Sequence, residues 1–151
     1  MRCNYFLRFL DFNFATMFYL TRREHFNAAH KLFNKNWSDE KNLEVFGGCA
    51  NPNWHGHNYV LFVTVKGEVN PETGYVVNMK DISILIRTNI LDKVDHKNLN
   101  LDVDFLKDIV PSAENFAKAI WDVLKPHIKD CELHCVKLQE TENIYVEYFG
   151  E

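Results

Sequence analysis

Two histidines separated by a single glycine lie in the segment CANPNWHGHNY, residues 49–59. Because successive side chains of an extended chain alternate, we expect His55 and His57 to project from the same face. A further histidine, His30, ends a segment whose apolar and polar residues alternate as in a strand. If the two segments pair as a hairpin, the three imidazoles converge. Three histidines with an open fourth position are typical of catalytic zinc; the alternative is three unrelated core or surface histidines.

A cysteine, Cys49, lies six residues before the first histidine of that pair, in the polar, glycine-rich segment FGGCANPN. A structural cysteine behaves as a small apolar residue and belongs in an apolar run, which this segment is not. A thiol is mostly protonated at neutral pH, and a neighbouring divalent cation favours the thiolate. We therefore interpret Cys49 as a general base or nucleophile beside the metal.

Further polar residues follow later in the chain. Asp95 and His96 follow a predicted helix. If they lie in a loop, the imidazole can carry a proton while the carboxylate orients the ring. The alternative is a helix C-terminus that a histidine stabilises. A buried carboxylate at Glu140 could accept two parallel hydrogen bonds from a guanidine-like edge of a ligand. On residue type alone, Glu140 and Glu142 are more often solvated, and we interpret Glu142 as solvated.

These residues are distributed over a short series of predicted elements. The pattern predicts strands at residues 18–30, 59–69, 134–140 and 143–149, and helices at 79–93 and from the N-cap Ser112 to Pro126, with Glu114 in the first turn of the second helix. Residues 31–57 are predicted to form a long loop, and loops of that length are usually functional. This order predicts an α+β fold in which two helices pack on one face of an antiparallel sheet.

Composition excludes several classes of protein. The chain has 151 residues and a net charge of −4, which suits a single domain and gives no basic cluster for nucleic acid. No stretch approaches the roughly 18 apolar residues of a membrane span. Residues 1–16 lack a cleavage site, so we interpret them as a poorly ordered extension before one domain at 17–151, and we expect a cytoplasmic protein. Exposed sheet edges, one formed by the apolar segment IYVEYF, predict a homo-oligomer.

Several segments, in the same order along the chain, resemble the 6-pyruvoyl tetrahydropterin synthase family. They are FNAAH (26–30), LEVFGGCANPNWHGHNY (43–59), GEVNPETGYVVN (67–78), VDHKNLN (94–100), AENFAKAIWD (113–122) and LQETENIYVEYFGE (138–151). The resemblance implies a T-fold, in which a four-stranded antiparallel sheet carries two helices, and a homohexamer of two stacked trimers. It implies conversion of 7,8-dihydroneopterin triphosphate to 6-pyruvoyl tetrahydropterin, with loss of triphosphate, in tetrahydrobiopterin biosynthesis.

The resemblance also assigns roles to residues of this sequence. It implies that His30, His55 and His57 bind zinc (Zn2+) and that Cys49 is the base that removes a proton from the substrate side chain. It implies that Asp95 and His96 complete a proton relay from a neighbouring subunit, and that Glu140 anchors the pterin. Ser112 and Glu114 correspond to family positions that contact the substrate.

Other interpretations remain open on the sequence. The related 6-carboxytetrahydropterin synthases of queuosine biosynthesis typically have three residues between the cysteine and the His-Gly-His, whereas five intervene here. A zinc-binding T-fold scaffold without catalysis is another alternative, and a three-histidine metal oxygenase is a third. The chain departs from the family in carrying Trp54 where glycine is usual, and Ala113 where a second hydroxyl residue is usual.

Overall fold

The computed structural model describes residues 16–151, so the extension predicted for residues 1–16 lies outside the described residues except for Thr16. A π-helical turn at Arg87–Leu91 joins the helices at Met79–Ile86 and Asp92–Val94, so that one helical segment runs close to the predicted bounds of 79–93. No helix in residues 16–151 is long and apolar enough to cross a membrane. The elements are β1 (Met17–His30), α1 (Asp39–Phe46), β2 (His55–Glu68), α2 (Met79–Ile86), α3 (Asp92–Val94), β3 (Lys97–Asn98), α4 (Ala113–Leu124), β4 (Glu132–Thr141) and β5 (Ile144–Tyr148).

The strands form one sheet in the order β3-β1-β2-β4-β5. Strands β1 and β2 form a long antiparallel pair in which Met17 lies opposite Glu68 and His30 lies opposite His55. Strands β2, β4 and β5 continue the antiparallel pattern, as predicted. The predicted number of strands was too small by one, because β3 is a two-residue strand that pairs in parallel with β1. Two residues are too few to give a periodic pattern in the sequence.

One face of this sheet is buried under the helices. Along β2 the alternate residues Tyr59, Leu61 and Val63 are buried, while the residues between them are more exposed. Apolar residues of α2 and α4, such as Ile86 and Phe116, join them in a continuous core. The α+β fold with helices on one face is therefore confirmed. The N-cap predicted for α4 is also present, because the hydroxyl of Ser112 accepts a hydrogen bond from the Asn115 amide at 3.4 Å.

The predicted loop at residues 31–57 is partly regular. It contains α1 and a 3-10 turn at Gly47–Ala50, and β2 already begins at His55. Helix α1 has no continuous apolar face that a periodicity search could find, since its apolar residues are Leu43, Val45 and Phe46 at its end, and the first two are 59% and 53% exposed. Asn42 is the one buried residue of α1.

Asn42 holds together the connection between β1 and β2 through its side-chain amide group. Its Nδ2 donates to the carbonyl oxygens of Asn34 at 3.1 Å and Ser38 at 3.0 Å, and its Oδ1 accepts from the Asn34 amide at 2.7 Å. The Leu32 amide donates to the carbonyl of Cys49 at 2.8 Å. The start of the connection is thus bound both to α1 and to the turn that carries the cysteine.

We predict that Asn42→Ala lowers the free energy of unfolding by about 2 kcal/mol, because it removes three part-buried hydrogen bonds of the side chain and leaves the Asn34 amide without its acceptor. Chemical denaturation with urea measures this change. Asn36→Ala, at an exposed position of the same connection, is the matched control and should change stability by less than about 0.5 kcal/mol. Equal effects of the two substitutions would contradict the role given to Asn42.

Candidate active site and metal centre

Three imidazoles converge where β1 ends and β2 begins, on the face of the sheet that carries the helices. His30 ends β1 opposite His55, and His57 lies opposite Ala28. The ring centroid of His30 lies 4.5 Å from that of His55 and 5.1 Å from that of His57. One ring nitrogen of each of the three histidines lies within 4.8 Å of the other two, so these residues could hold a metal ion.

The protonation of these rings suits a metal ligand. His30 is 2% exposed, and its Nδ1 must donate to the carbonyl of Pro111 at 2.8 Å, which leaves Nε2 unprotonated towards the other rings. Burial lowers the pKa of His30, although the hydrogen bond to Pro111 opposes this shift. Burial and the neighbouring His57 lower the pKa of His55. Neutral imidazoles are the form that binds metal.

Two ring atoms of the group have no hydrogen-bond partner within the described part of the chain. They are His55 Nδ1 and His57 Nε2, and both are buried. Buried polar atoms in proteins nearly always have a partner, so a bound cation would account for both of these atoms. Three imidazole nitrogens also leave coordination positions open for a substrate. The residues present therefore fit a metal ion.

The carboxylate of Glu140 lies beside the candidate metal-binding nitrogens. Its Oε1 is 3.4 Å from His30 Nε2 and 3.7 Å from His57 Nε2, and its side chain is 17% exposed. The hydroxyl of Tyr59 donates to the same oxygen at 3.4 Å. A ligand bound at the histidines would therefore meet a negatively charged, largely buried acceptor.

Tyr59 belongs to this site, and the sequence prediction missed it. The residue was interpreted only as the start of an apolar strand, yet it lies two residues after His57 and so projects from the same face. Burial, followed by the charge of Glu140, raises the pKa of Tyr59 far above its ordinary value, so its phenol stays protonated.

Cys49 lies in the 3-10 turn at Gly47–Ala50 and is exposed. It is not one of the grouped metal ligands. The backbone of its turn is nevertheless bound near the end of β1, because the Leu32 amide, two residues after His30, donates to the Cys49 carbonyl at 2.8 Å. The structure thus places an accessible thiol near the group of histidines but outside it.

Asp95 and His96 lie in a loop, as predicted, at the β3 edge of the sheet. Asp95 Oδ1 accepts a hydrogen bond from the Asn27 amide at 2.8 Å, and this bond lowers the pKa of Asp95 most. The same oxygen lies 3.0 Å from His96 Nδ1. The His96 amide donates to the Asn27 carbonyl at 2.6 Å. His96 has a left-handed φ of 59°, and its side chain is 78% exposed.

Within residues 16–151, no hydrogen bond or ion pair joins His96 to the three grouped histidines or to Cys49. His96 and His57 border the same open cleft of about 550 Å³ without such a contact. A single chain therefore assembles the histidines, Glu140 and Tyr59, and leaves the ring of His96 directed at solvent.

The start of α4 lies next to the histidines through Pro111, whose carbonyl binds His30. Ser112 is the N-cap of α4, and Ala113 is its first residue. Glu114 is exposed in the first turn. The two predicted substrate contacts are thus near the site in the fold, while the hydroxyl of Ser112 already caps the helix.

Trp54, where glycine is usual in the resembling family, has a left-handed φ of 65° immediately before His55. This conformation is free of strain only for glycine. The ammonium group of Lys31 lies 4.7 Å from the centroid of the Trp54 ring and 4.6 Å from that of Phe33. The cation–π contact offsets part of the backbone strain at Trp54.

Comparisons with known proteins agree with this geometry. The model of a family described as 6-pyruvoyl tetrahydropterin synthase matches residues 19–151. The chain is 47% identical over 132 residues to a 6-pyruvoyl tetrahydrobiopterin synthase of Pongo abelii and 46% identical to that of Homo sapiens; each match covers 87% of this chain and 91% of the relative. The solved structure of Caenorhabditis elegans 6-pyruvoyl tetrahydropterin synthase is similar with a TM-score of 0.85 at 37% identity, covering 90% of this chain and 97% of that chain.

We predict that His55→Ala abolishes stable metal binding, because two imidazoles alone make a weak site. Metal content per chain, measured by mass spectrometry of the purified protein, tests this expectation. His127→Ala, which removes an exposed histidine far along the chain, is the matched control and should keep full occupancy. Full occupancy in His55→Ala would remove this residue from the ligand set.

We predict that Trp54→Gly is more stable than Trp54→Ala by about 1 kcal/mol, since both lose the contact with Lys31 but only glycine relieves the left-handed strain. Urea denaturation of the two variants under identical conditions measures the difference. The same stability in both variants, or a more stable alanine variant, would show that the backbone at this position is not strained.

Proposed function

Since the chain belongs to the 6-pyruvoyl tetrahydropterin synthase family, we propose that it converts 7,8-dihydroneopterin triphosphate to 6-pyruvoyl tetrahydropterin in tetrahydrobiopterin biosynthesis. The reaction eliminates triphosphate, so the enzyme is a carbon–oxygen lyase acting on phosphates. The observation that carries the proposal is the convergence of His30, His55 and His57 beside Glu140. Rearrangement of the side chain is internal, and no external oxidant or reductant is required.

Zinc is the metal that best suits the ligand set, because three neutral imidazoles with an open position are its usual catalytic environment. When bound, zinc would act as a Lewis acid on the side-chain oxygens of the substrate and so make the adjacent C–H bonds more acidic. His30 keeps its Nε2 available for this role because Pro111 fixes the proton on Nδ1.

Cys49 acts as the base that removes a side-chain proton from the substrate. Its exposure in the turn at Gly47–Ala50 supports this role, since the sulfur can reach a bound ligand. The hydrogen bond that ties its carbonyl to the Leu32 amide fixes the backbone of the turn close to the end of β1. The thiol is therefore positioned by the same connection that Asn42 holds.

Glu140 anchors the pterin by accepting hydrogen bonds from the 2-amino group and N3 of the ring. The low exposure of its side chain supports this role, because a carboxylate shielded from water gains from such a donor. Ser112 and Glu114, at the adjacent N-terminus of α4, are secondary substrate contacts in this proposal.

Asp95 and His96 complete the proton relay from a neighbouring copy of the chain. This is supported by the ring of His96, which is 78% exposed although its backbone is fixed against Asn27. Apolar side chains of the last strand, Ile144 and Tyr145, are 54% and 56% exposed, as expected for a strand edge that pairs with another copy. We propose a homohexamer of two trimers, located in the cytoplasm.

The expected result for purified, zinc-loaded protein is release of triphosphate from 7,8-dihydroneopterin triphosphate and a product with the mass of 6-pyruvoyl tetrahydropterin. Cys49→Ala should lose most turnover, by about 10²-fold or more, while it keeps zinc and pterin binding, because a positioned base contributes on this scale. Mass spectrometry identifies the product, and an assay of the released triphosphate measures turnover.

The other outcomes of this experiment are equally informative. A product with the mass of 6-carboxytetrahydropterin would replace the proposal with the carboxy reaction. No triphosphate release from a zinc-loaded oligomer would indicate a scaffold without catalysis. Unchanged turnover in Cys49→Ala would remove the thiolate from the mechanism, and Cys135→Ala, at a buried cysteine of β4, serves as the matched control.

A further inference from the structure

A second cleft, also of about 550 Å³, adjoins the three histidines. Three of the residues that line it are sequence neighbours of residues in the metal centre. They are Lys31, which follows His30, Trp54, which precedes His55, and Val110, which precedes the Pro111 whose carbonyl binds His30. The cleft therefore begins within one residue of the metal centre on three segments of the chain.

Lys31 is fixed in this cleft at both its backbone and its ammonium group. Its amide donates to Asn100 Oδ1 at 3.0 Å, and Asn100 Nδ2 donates to its carbonyl at 3.0 Å. Its ammonium lies 4.6 Å from the centroid of the Phe33 ring and 4.7 Å from that of the Trp54 ring. Because successive side chains of an extended chain alternate, Lys31 lines the cleft beside the metal centre and does not point at the ligand nitrogens.

The positive charge of Lys31 is not neutralised inside the cleft. The other cation that lines the cleft, Lys35, pairs with Asp108 at 2.8 Å. Among residues 16–151, no carboxylate forms an ion pair with the Lys31 ammonium. Contact with two aromatic faces holds an ammonium group in place without removing its charge, so Lys31 can still bind an anion.

The proposed substrate carries such an anion at the required place. Its triphosphate is attached to the third carbon of the side chain, next to the carbons whose oxygens zinc would bind. The anion must therefore lie against the immediate surroundings of the metal centre. A fixed ammonium group in that position forms charge-assisted hydrogen bonds with phosphate oxygens.

We propose that Lys31, held between Phe33 and Trp54, receives the triphosphate of the substrate and selects phosphorylated over unphosphorylated dihydropterins. This inference rests on the proposed function. It also gives a role to the strained backbone at Trp54. The glycine that is usual at this position in the family would leave one side of the ammonium without its ring.

The test measures how tightly the zinc-loaded full chain binds 7,8-dihydroneopterin triphosphate and 7,8-dihydroneopterin, by isothermal titration calorimetry. All proteins carry Cys49→Ala to suppress turnover. Lys31→Met keeps an apolar stem between the two rings, and we expect it to weaken binding of the triphosphate about tenfold, the scale of a hydrogen bond to a charged group. Its affinity for unphosphorylated 7,8-dihydroneopterin should stay unchanged.

Two further variants separate the charge of Lys31 from its placement. Lys31→Arg keeps a cation that binds phosphate, so its affinity for the triphosphate should stay within about threefold of that of the unaltered lysine. Trp54→Gly removes one of the two rings that hold the ammonium, and we expect it to weaken binding of the triphosphate about threefold.

Lys41→Met is the matched control. The Lys41 ammonium also lies 4.6 Å from the centroid of a tryptophan ring, that of Trp37, but Lys41 does not line the cleft. This variant should leave both affinities unchanged. The zinc content of every variant is measured in parallel and should be full.

Equal losses of affinity for the two ligands in Lys31→Met, or loss of its zinc, would overturn the proposal, because the lysine would then act by supporting the histidines. Unchanged affinity of Lys31→Met for the triphosphate would also overturn it. A selective loss in Lys97→Met would in that case assign the triphosphate to the cleft that His57 and His96 border.

Failure of the proposed function is a separate result. If the protein with Cys49 intact binds the triphosphate without converting it, the proposed function fails, while the selective effect of Lys31→Met still decides whether this cleft receives the anion. If conversion is observed and Lys31→Met binds both ligands as before, only the assignment of the cleft is wrong.

Discussion

The register of the β1–β2 pair is the constraint on which the whole site depends. His30 opposite His55 is the last pair of this ladder, and a slip by one residue would move the side chains of one strand to the other face of the sheet. The buried residues further along the hairpin prevent that slip, because Phe26 would have to leave the core if β1 moved, and Tyr59 if β2 moved. Burial in the middle of the hairpin therefore sets the positions of ligands at its end.

The close approach of the two strands between the ligands depends on a glycine. A Cβ atom at Gly56 would lie 3.3 Å from the carbonyl oxygen of Ala28, closer than most real contacts of this kind. His55 and His57 can therefore flank this position while their strand stays in register with β1. The site also gathers polar groups that weaken a folded core, since two buried ring nitrogens have no partner among residues 16–151. Such local conflicts are expected where function, and not stability, selects the residues.

The sequence predicted those parts of the molecule that have a periodic pattern or a recognisable spacing. The long strands, the helix near residues 79–93 and the helix capped by Ser112 have apolar faces that alternate or repeat, and the His-Gly-His spacing indicated the metal centre. Helix α1 and strand β3 were missed because an exposed helix and a two-residue strand have no such pattern. Tyr59 was missed for a different reason: a buried aromatic residue in a strand looks like core, and only its contact with Glu140 distinguishes it.

The fixed backbone and exposed ring of His96 indicate how the remainder of the site is organised. A left-handed φ at a histidine costs about 1–2 kcal/mol, and it persists here because the backbone and the Asp95 carboxylate both bind Asn27. Within one chain this loss of stability brings the ring into no contact with the grouped histidines, because the ring is exposed to solvent. It is understandable if the ring has to be presented rigidly to another copy, whose thiol and metal ligands would otherwise lack a proton carrier. In the proposed hexamer, the strained backbone at His96 would serve to present this ring to a neighbouring copy.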